Sequence, residues 1–286
     1  MDVDVVSYLS KGAEQDFVKS LKNTGFVVLK DHPISRDLID KTYETWKDFF
    51  ALPLDEKNSY LFDARETGAQ TGYFPFKAEN AKGYSVQDLK EFFHFAPHKK
   101  APEMQAQMTK AYFQEVTQLA HELLKWAENG LPEKISKNLS MPLKQMAEES
   151  TLTLLRILHY PPLQGDEEEG SVRAAPHEDI NLMTVLPFAT APGLEIKDSK
   201  GNWHPVPGDP GMIVINVGDM LAHTTQNYYT STTHRVVNPE VQKNEARYSL
   251  PLFFQPNKDV RLSPIHTAGS YFEERFREQG LVKDKN

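Results

Sequence analysis

His177, Glu178 and Asp179 stand together at the head of an apolar run, AAPHEDINLMTVLPF (Ala174 to Phe188), where a buried strand would carry hydrocarbon. On a strand, residues two apart share a face, roughly 6.6 Å apart along the chain, and the residue between them points away. His177 and Asp179 can therefore converge on one point, while Glu178 faces the other side. An imidazole and a carboxylate are two ligands of a three-ligand site, two histidines and one carboxylate on one face of an octahedral metal such as iron. Of the ten histidines, His234 in STTHRVVNP is the candidate third ligand, flanked by the strand formers Thr232, Thr233, Val236 and Val237. A lone histidine is more often a satisfied or exposed side chain, and the same three ligands on zinc would serve a water-activating hydrolase.

A second pair bears on that choice. Arg247 and Ser249 in ARYSLPLFF are also two apart and share the face of an apolar strand. A guanidinium turned into a β core is costly unless a carboxylate meets it. That carboxylate is either the protein's own or a ligand's, held bidentately by Arg247 with Ser249 donating a further bond. Around these lie candidate substrate contacts. Arg173 precedes the His177 strand by four residues, and Asn181 continues the face of His177 and Asp179 if the strand stays regular. Arg156 shares parity with Leu158 and Tyr160 in TLTLLRILHY, with a strand-end salt bridge as its alternative role. Phe254 lies near the end of the Arg247 strand.

These residues need a β scaffold, and the second half of the chain reads as one. After Thr151 come short β-type runs punctuated by Gly, Pro, Asn and Asp, among them NLMTVLPF, GLEIKD, GMIVINVGDML and RYSLPLFFQP. Many short strands at close spacing predict a sandwich or barrel, here a jelly roll or double-stranded β-helix. Upstream, DFVKSLKNTG predicts a helix stopped by Gly25, FVVLK a strand, and SRDLIDKTYETWKDFFAL a second helix. Tyr60 to Lys100 predicts long loops, Pro102–Asn129 and Pro132–Glu149 two helices, and Gly269–Gln279 a last one. Helices first and strands afterwards predict an α+β class. The texture divides the chain into an N-terminal region (1–100), a helical segment (101–150) and a β core with a C-terminal helix (151–286).

Composition narrows the function classes. The 286 residues include 40 acidic and 32 basic side chains, a formal net charge of −8. That balance disfavours nucleic-acid or anionic-membrane partners and leaves a small molecule as the expected one. Cysteine is absent, so thiolate ligands, cysteine nucleophiles and disulfides are excluded. No apolar run approaches spanning length and the start is too polar for a signal peptide, which gives a cytoplasmic address as the expectation. Oligomeric state is not legible.

Taken in order, His177-x-Asp179, His234 and Arg247-x-Ser249 resemble the iron(II)- and 2-oxoglutarate-dependent dioxygenase superfamily, in its isopenicillin N synthase-like branch. GLEIKDSKGNWHPV, PGMIVINVGDML, STTHRVVNP and RYSLPLFFQP resemble core segments of that branch, and TGFVVLKDHPIS and FFALPLDEK its N-terminal region. The resemblance implies a double-stranded β-helix core with an N-terminal mixed α/β elaboration and flanking helices. It implies Fe(II) on His177, Asp179 and His234, and 2-oxoglutarate with its far carboxylate on Arg247 and Ser249. Tyr160 in ILHYPP matches the Tyr-Pro segment that contacts the cosubstrate; Leu158 stands where plant members often carry asparagine. O2 would be the co-reactant, succinate and CO2 the products, and hydroxylation of an unactivated C–H bond the default outcome. In this branch TGYFPF (Thr71 to Phe76) lies over the site mouth, making Tyr73, Phe74 and Phe76 substrate candidates. The branch also includes isopenicillin N synthase, which uses no 2-oxoglutarate, so Arg247 signals a carboxylate more firmly than it signals which one. A metal-dependent hydrolase would leave Arg247-x-Ser249 unexplained, and a non-catalytic binding module would have no need of all three metal ligands.

Overall fold

A run such as FVVLK needs cover on both of its faces. In the computed structural model, which describes residues 1–63, 71–79 and 86–278 with the Phe276 side chain excepted, this run is β2 (Phe26–Lys30) and it has both. Val27 and Leu29 join one apolar core, and Phe26 and Val28 join another. The strand pairs in parallel with β1 (Val5–Ser7) and antiparallel with β10 (Ile213–Val217). Beyond β10 the nine-stranded sheet continues through β7 (Met183–Pro187), β13 (Leu252–Phe254), β5 (Leu154–Tyr160), β4 (Glu91–Phe95) and β3 (Gly72–Phe74), with β12 (Arg247–Ser249) also paired to β5. A four-stranded sheet, β6 (Ala174–His177), β11 (His234–Val236), β8 (Leu194–Lys197) and β9 (Trp203–Pro205), completes the double-stranded β-helix. The N-terminal region thus shares the large sheet with the β core, supplying four of its nine strands, while residues 101–150 supply helices.

Helices cover one face of the large sheet. Helix α1 (Ala13–Thr24), α2 (Arg36–Phe50) and the long α4 (Glu103–Asn129) bury Phe17, Leu21, Trp46, Phe49, Val116 and Leu123 there, and the Trp46 indole donates to Thr109 Oγ1 at 2.9 Å. The short α3 (Leu54–Asn58) follows α2, α7 (Asp219–Thr224) follows β10, and α8 (Ala268–Glu278) ends the described chain. Among the described residues no helix is long and apolar enough to cross a membrane.

Two expectations fail for identifiable reasons. Tyr60 to Lys100 is not all loop, because it contains β3 and β4. All five residues of EFFHF are buried, so β4 has no polar face and lacks the alternation that marks a half-exposed strand. Pro132–Glu149 is not one helix but two short ones, α5 (Glu133–Ser136) and α6 (Leu143–Met146), each starting directly after a proline. Pro142 has no N–H for a continuing helix and its ring blocks the preceding turn.

The predicted glycine stop has a second duty. Gly25 closes α1 at φ 71°, its N–H returned to Leu21 O, and a Cβ there would stand 2.2 Å from Thr230 O and 2.5 Å from Thr232 Oγ1. Thr232 donates to Thr24 O at 2.8 Å, so this close approach anchors the segment that leads into His234. Gly25→Ala is expected to destabilise the fold by roughly 2–4 kcal/mol, from the left-handed backbone and the forced displacement together. Gly165→Ala, at φ 88° with nothing within 4 Å, carries only the backbone cost of about 1–2 kcal/mol. Equal shifts in thermal midpoint for the two variants would contradict the packing role.

Candidate metal centre and anion pocket

The last residue of β6 and the first of β11 face each other: His177 and His234 are register partners in the four-stranded sheet, ring centroids 4.4 Å apart. The chain leaves the strand immediately after His177. Glu178 points to solvent and accepts a hydrogen bond from Thr233 Oγ1, whereas Asp179 turns inward and is 7% exposed. The separation of the two carboxylates follows from this turn rather than from parity along a regular strand. Asp179 Oδ1 lies 3.9 Å from His177 Nε2 and 3.8 Å from His234 Nε2. One ligand atom from each residue falls within 4.8 Å of the others, enough to hold a metal ion.

Each donor is oriented from behind. His177 Nδ1 contacts Ala175 O at 2.7 Å and His234 Nδ1 contacts Thr232 O at 3.1 Å, an arrangement that puts the proton on Nδ1 and leaves both Nε2 lone pairs for a cation. Asp179 Oδ2 accepts from Thr184 Oγ1 (2.6 Å) and Asn216 Nδ2 (2.8 Å), which leaves Oδ1 turned to the imidazoles. Burial pushes the Asp179 carboxyl up, but His234, His177 and the two hydrogen bonds outweigh it and hold the group below its ordinary range. Burial, then the neighbouring His234, push His177 down to about 4. The donor set, one carboxylate oxygen between two imidazole Nε2 atoms, suits a divalent first-row metal.

At the Tyr160 end of the cavity two guanidinium groups have no carboxylate. β12 pairs with β5 so that Arg247 stands opposite Tyr160 and Ser249 opposite Leu158. Arg247 is 2% exposed; its Nε donates to Ala191 O at 3.0 Å and its Nη1 has no partner. Arg173, the substrate candidate four residues before His177, is 1% exposed, with Nη2 donating to Glu245 O and Nε without a partner among the described residues. Burial depresses both, and Arg247 depresses Arg173 further. The Tyr160 ring lies 5.2 Å from the Arg247 guanidinium. Two buried positive charges that meet backbone oxygens and, for Arg247, the Tyr160 hydroxyl, but no carboxylate among the described residues, suit an anion with several acceptor lone pairs, a carboxylate above all.

Between these ends, a third wall carries residues that sequence reasoning partly missed. Arg156 faces inward as its parity requires, and its Nη1 and Nη2 reach the Glu79 carboxylate at 3.0 and 3.3 Å. Its guanidinium rests over Phe92 (4.6 Å), whose ring stacks on Phe74 at 4.5 Å. Lys90, unremarked in the sequence, is buried with Nζ 2.7 Å from Asp88 and 2.9 Å from Glu79. Its position one residue before a fully buried strand was the available signal.

Three candidates lie elsewhere. Phe254 pairs with Met183 and packs edge-on against His121 in the helix-facing core; Phe253, paired with Thr184, faces the site. The parity of Arg247 and Ser249 already pointed to 253. Asn181 is not a pocket wall, because the strand stops at His177; it sits behind the metal ligands and donates to Thr184 Oγ1 at 2.8 Å. Tyr73 points to the opposite face and donates to Glu91, which also receives Lys57 Nζ at 2.8 Å and meets His159 Nδ1 at 2.8 Å. An open cleft of about 770 Å³ along α4, lined by Phe113, His121 and Lys144, holds none of the triad.

Asp179→Ala is expected to abolish Fe(II) binding in calorimetric titration, and Glu178→Ala to leave it intact. Asn216→Ala, which removes one of the two hydrogen bonds to Oδ2, should weaken binding by about 10–100-fold. In the metal-free chain the His177 imidazole should titrate by NMR near 4, well below the ordinary value of about 6.5; a midpoint near 6.5 would contradict the site's electrostatics.

Two family models match in order along the chain. Residues 10–115 match the model described as non-haem dioxygenase in morphine synthesis N-terminal, and residues 152–256 match the 2OG-Fe(II) oxygenase superfamily. Clavatol oxidase claD of Penicillium crustosum is 29% identical over 311 residues, covering 93% of this chain and 88% of its own. The 2-oxoglutarate-dependent dioxygenase citB of Monascus ruber is 28% identical over 306 residues, covering 95% and 89%. A solved structure from Shewanella oneidensis, assigned as an oxygenase, superposes with a TM-score of 0.87 at 45% identity, covering 99% of this chain and 100% of that one. A metal-ready triad facing a buried cationic pocket, on a chain similar to such enzymes over nearly its whole length, identifies it as a member of the Fe(II)- and 2-oxoglutarate-dependent oxygenase superfamily, isopenicillin N synthase-like branch.

Proposed function

We propose that this dioxygenase hydroxylates an unactivated C–H bond of a small molecule, with His177, Asp179 and His234 as the Fe(II) ligands. Arg247, Ser249, Tyr160 and Arg173 would receive the far carboxylate of 2-oxoglutarate. The observation that carries the cosubstrate assignment is the pair of deeply buried guanidinium groups with unpartnered nitrogens. When bound, iron would activate O2, the oxidant, with 2-oxoglutarate supplying two electrons and leaving as succinate and CO2, and the C–H bond supplying the other two.

The chain's own residues set position and protonation. Thr184 and Asn216 fix which carboxylate oxygen Asp179 presents, and the backbone oxygens of Ala175 and Thr232 fix the imidazole tautomers. Arg247 and Arg173 would hold the cosubstrate by its far carboxylate and so limit the orientations it can take. Arg156 and Phe74 would line the substrate side. A cytoplasmic setting belongs to the same proposal, in keeping with a chain that contains no cysteine.

Anaerobic addition of Fe(II) and 2-oxoglutarate should produce a visible charge-transfer band. Removing one buried charge partner costs about 2–5 kcal/mol, so Arg247→Ala should weaken cosubstrate binding by about 30-fold to several thousand-fold. No band, with iron demonstrably bound, would overturn the 2-oxoglutarate assignment in favour of an iron oxidase that takes its carboxylate from the substrate. Succinate release should follow admission of O2.

A further inference from the structure

We propose that the primary substrate is itself an anion of the carboxylate class, seated on Lys90 and Arg156 in the place now taken by the Glu79 side chain. The proposal rests on the Fe(II)/2-oxoglutarate assignment for the chemistry but on separate residues for the binding.

Lys90 and Arg156 lie on one inner wall. Register pairs Phe92 with Leu158 and His94 with Arg156, so Lys90 extends the same alternation opposite Tyr160. Asp88, which holds Lys90 Nζ at 2.7 Å, also accepts the Ala175 N–H at 3.0 Å, which puts this wall beside the strand that ends at His177. Both cations converge on Glu79: Lys90 Nζ at 2.9 Å, and Arg156 in two-pronged fashion at 3.0 and 3.3 Å. That is the geometry in which a guanidinium and an ammonium take a free carboxylate.

The two acids of the cluster are not equivalent. Asp88 has a side chain 4% exposed; it accepts the Ala175 N–H at 3.0 Å with one oxygen and holds Lys90 with the other, so it is part of the frame. Glu79 has a side chain 26% exposed, and among the described residues its carboxylate pairs with the two cations, with His94 nearby adding to their pull. Its backbone is held, because the Asp88 N–H bonds Glu79 O at 3.0 Å, but its side chain borders water and can rotate out. With Glu79 in place, two cations meet two anions. With it turned out, one positive charge is left over in a buried wall, and a monoanionic ligand restores neutrality where a neutral one does not. The Phe62–Phe74–Phe92 stack flanks the guanidinium with apolar surface.

A purely structural ion-pair cluster predicts the opposite response to loss of Glu79. The full chain, loaded anaerobically with Fe(II) and 2-oxoglutarate, is titrated calorimetrically with benzoate, phenylacetate and 2-naphthoate and with their primary amides. Acids should bind about tenfold or more tightly than amides, the difference made by charge-assisted hydrogen bonds. Glu79→Gln should tighten the acids severalfold and leave the amides unchanged. Lys90→Gln and Arg156→Gln should erase the preference, and Lys90→Arg should retain it. The charge-transfer band should form in every variant, which separates this proposal from the cosubstrate assignment: a missing wild-type band counts against the latter alone, since the loss of acid affinity on Lys90→Gln or Arg156→Gln, with Arg247 and Arg173 unchanged, can still be read. Absence of acid preference in the wild-type chain, or weaker acid binding in a folded Glu79→Gln variant, would overturn the proposal.

Discussion

A carboxylate buried between two sheets is tolerable only if positive charge or strong donors surround it, and Asp179 is arranged to need both. Thr184 and Asn216 satisfy one oxygen from the large sheet, while the other is left facing two imidazoles from the small sheet. A cation between the three completes the balance. The two sheets must therefore hold their spacing, because the donors to Asp179 come from one and the histidines from the other. The helical layer and the N-terminal strand serve that end: Phe26 packs edge-on against His234 at 5.5 Å, and Gly25 lets the segment before His234 approach closely.

The rest of the cavity is organised by positive charge. Arg247 and Arg173 stand unneutralised at one end, and Lys90 and Arg156 stand neutralised at the other. The difference has a physical meaning. Unpartnered buried guanidinium groups are costly in the free protein and are retained where a ligand supplies the missing anion. Cations already paired with a partly exposed acid form a gentler arrangement, in which the protein supplies a stand-in carboxylate until one arrives. A dianionic cosubstrate suits the first end, and an acidic substrate suits the second.

Much of this was legible in residue spacing. The ligand trio, the Arg247-x-Ser249 pair, the inward aim of Arg156, the strand at Phe26–Lys30 and the stop at Gly25 all follow from period and residue type. Lys90 was not legible, because β4 is buried on both faces and a strand without alternation hides its own register. Phe254 was placed one residue off: proximity along the chain was followed where the parity of Arg247 and Ser249 would have selected Phe253. Asn181 was assigned by extending a strand that ends at His177. Each error has the same origin, since the alternation rule holds only as long as the strand does.

By itself, then, the amino-acid sequence determined which side chains could bind iron and a carboxylate, since local spacing decides which neighbours share a face. Tertiary structure alone decided which oxygen of Asp179 is free, that Arg173 is buried beside Arg247, and that Lys90 and Arg156 share Glu79. Those relations join residues far apart in the chain, and they depend on how two sheets are spaced and registered. No local period encodes that distance.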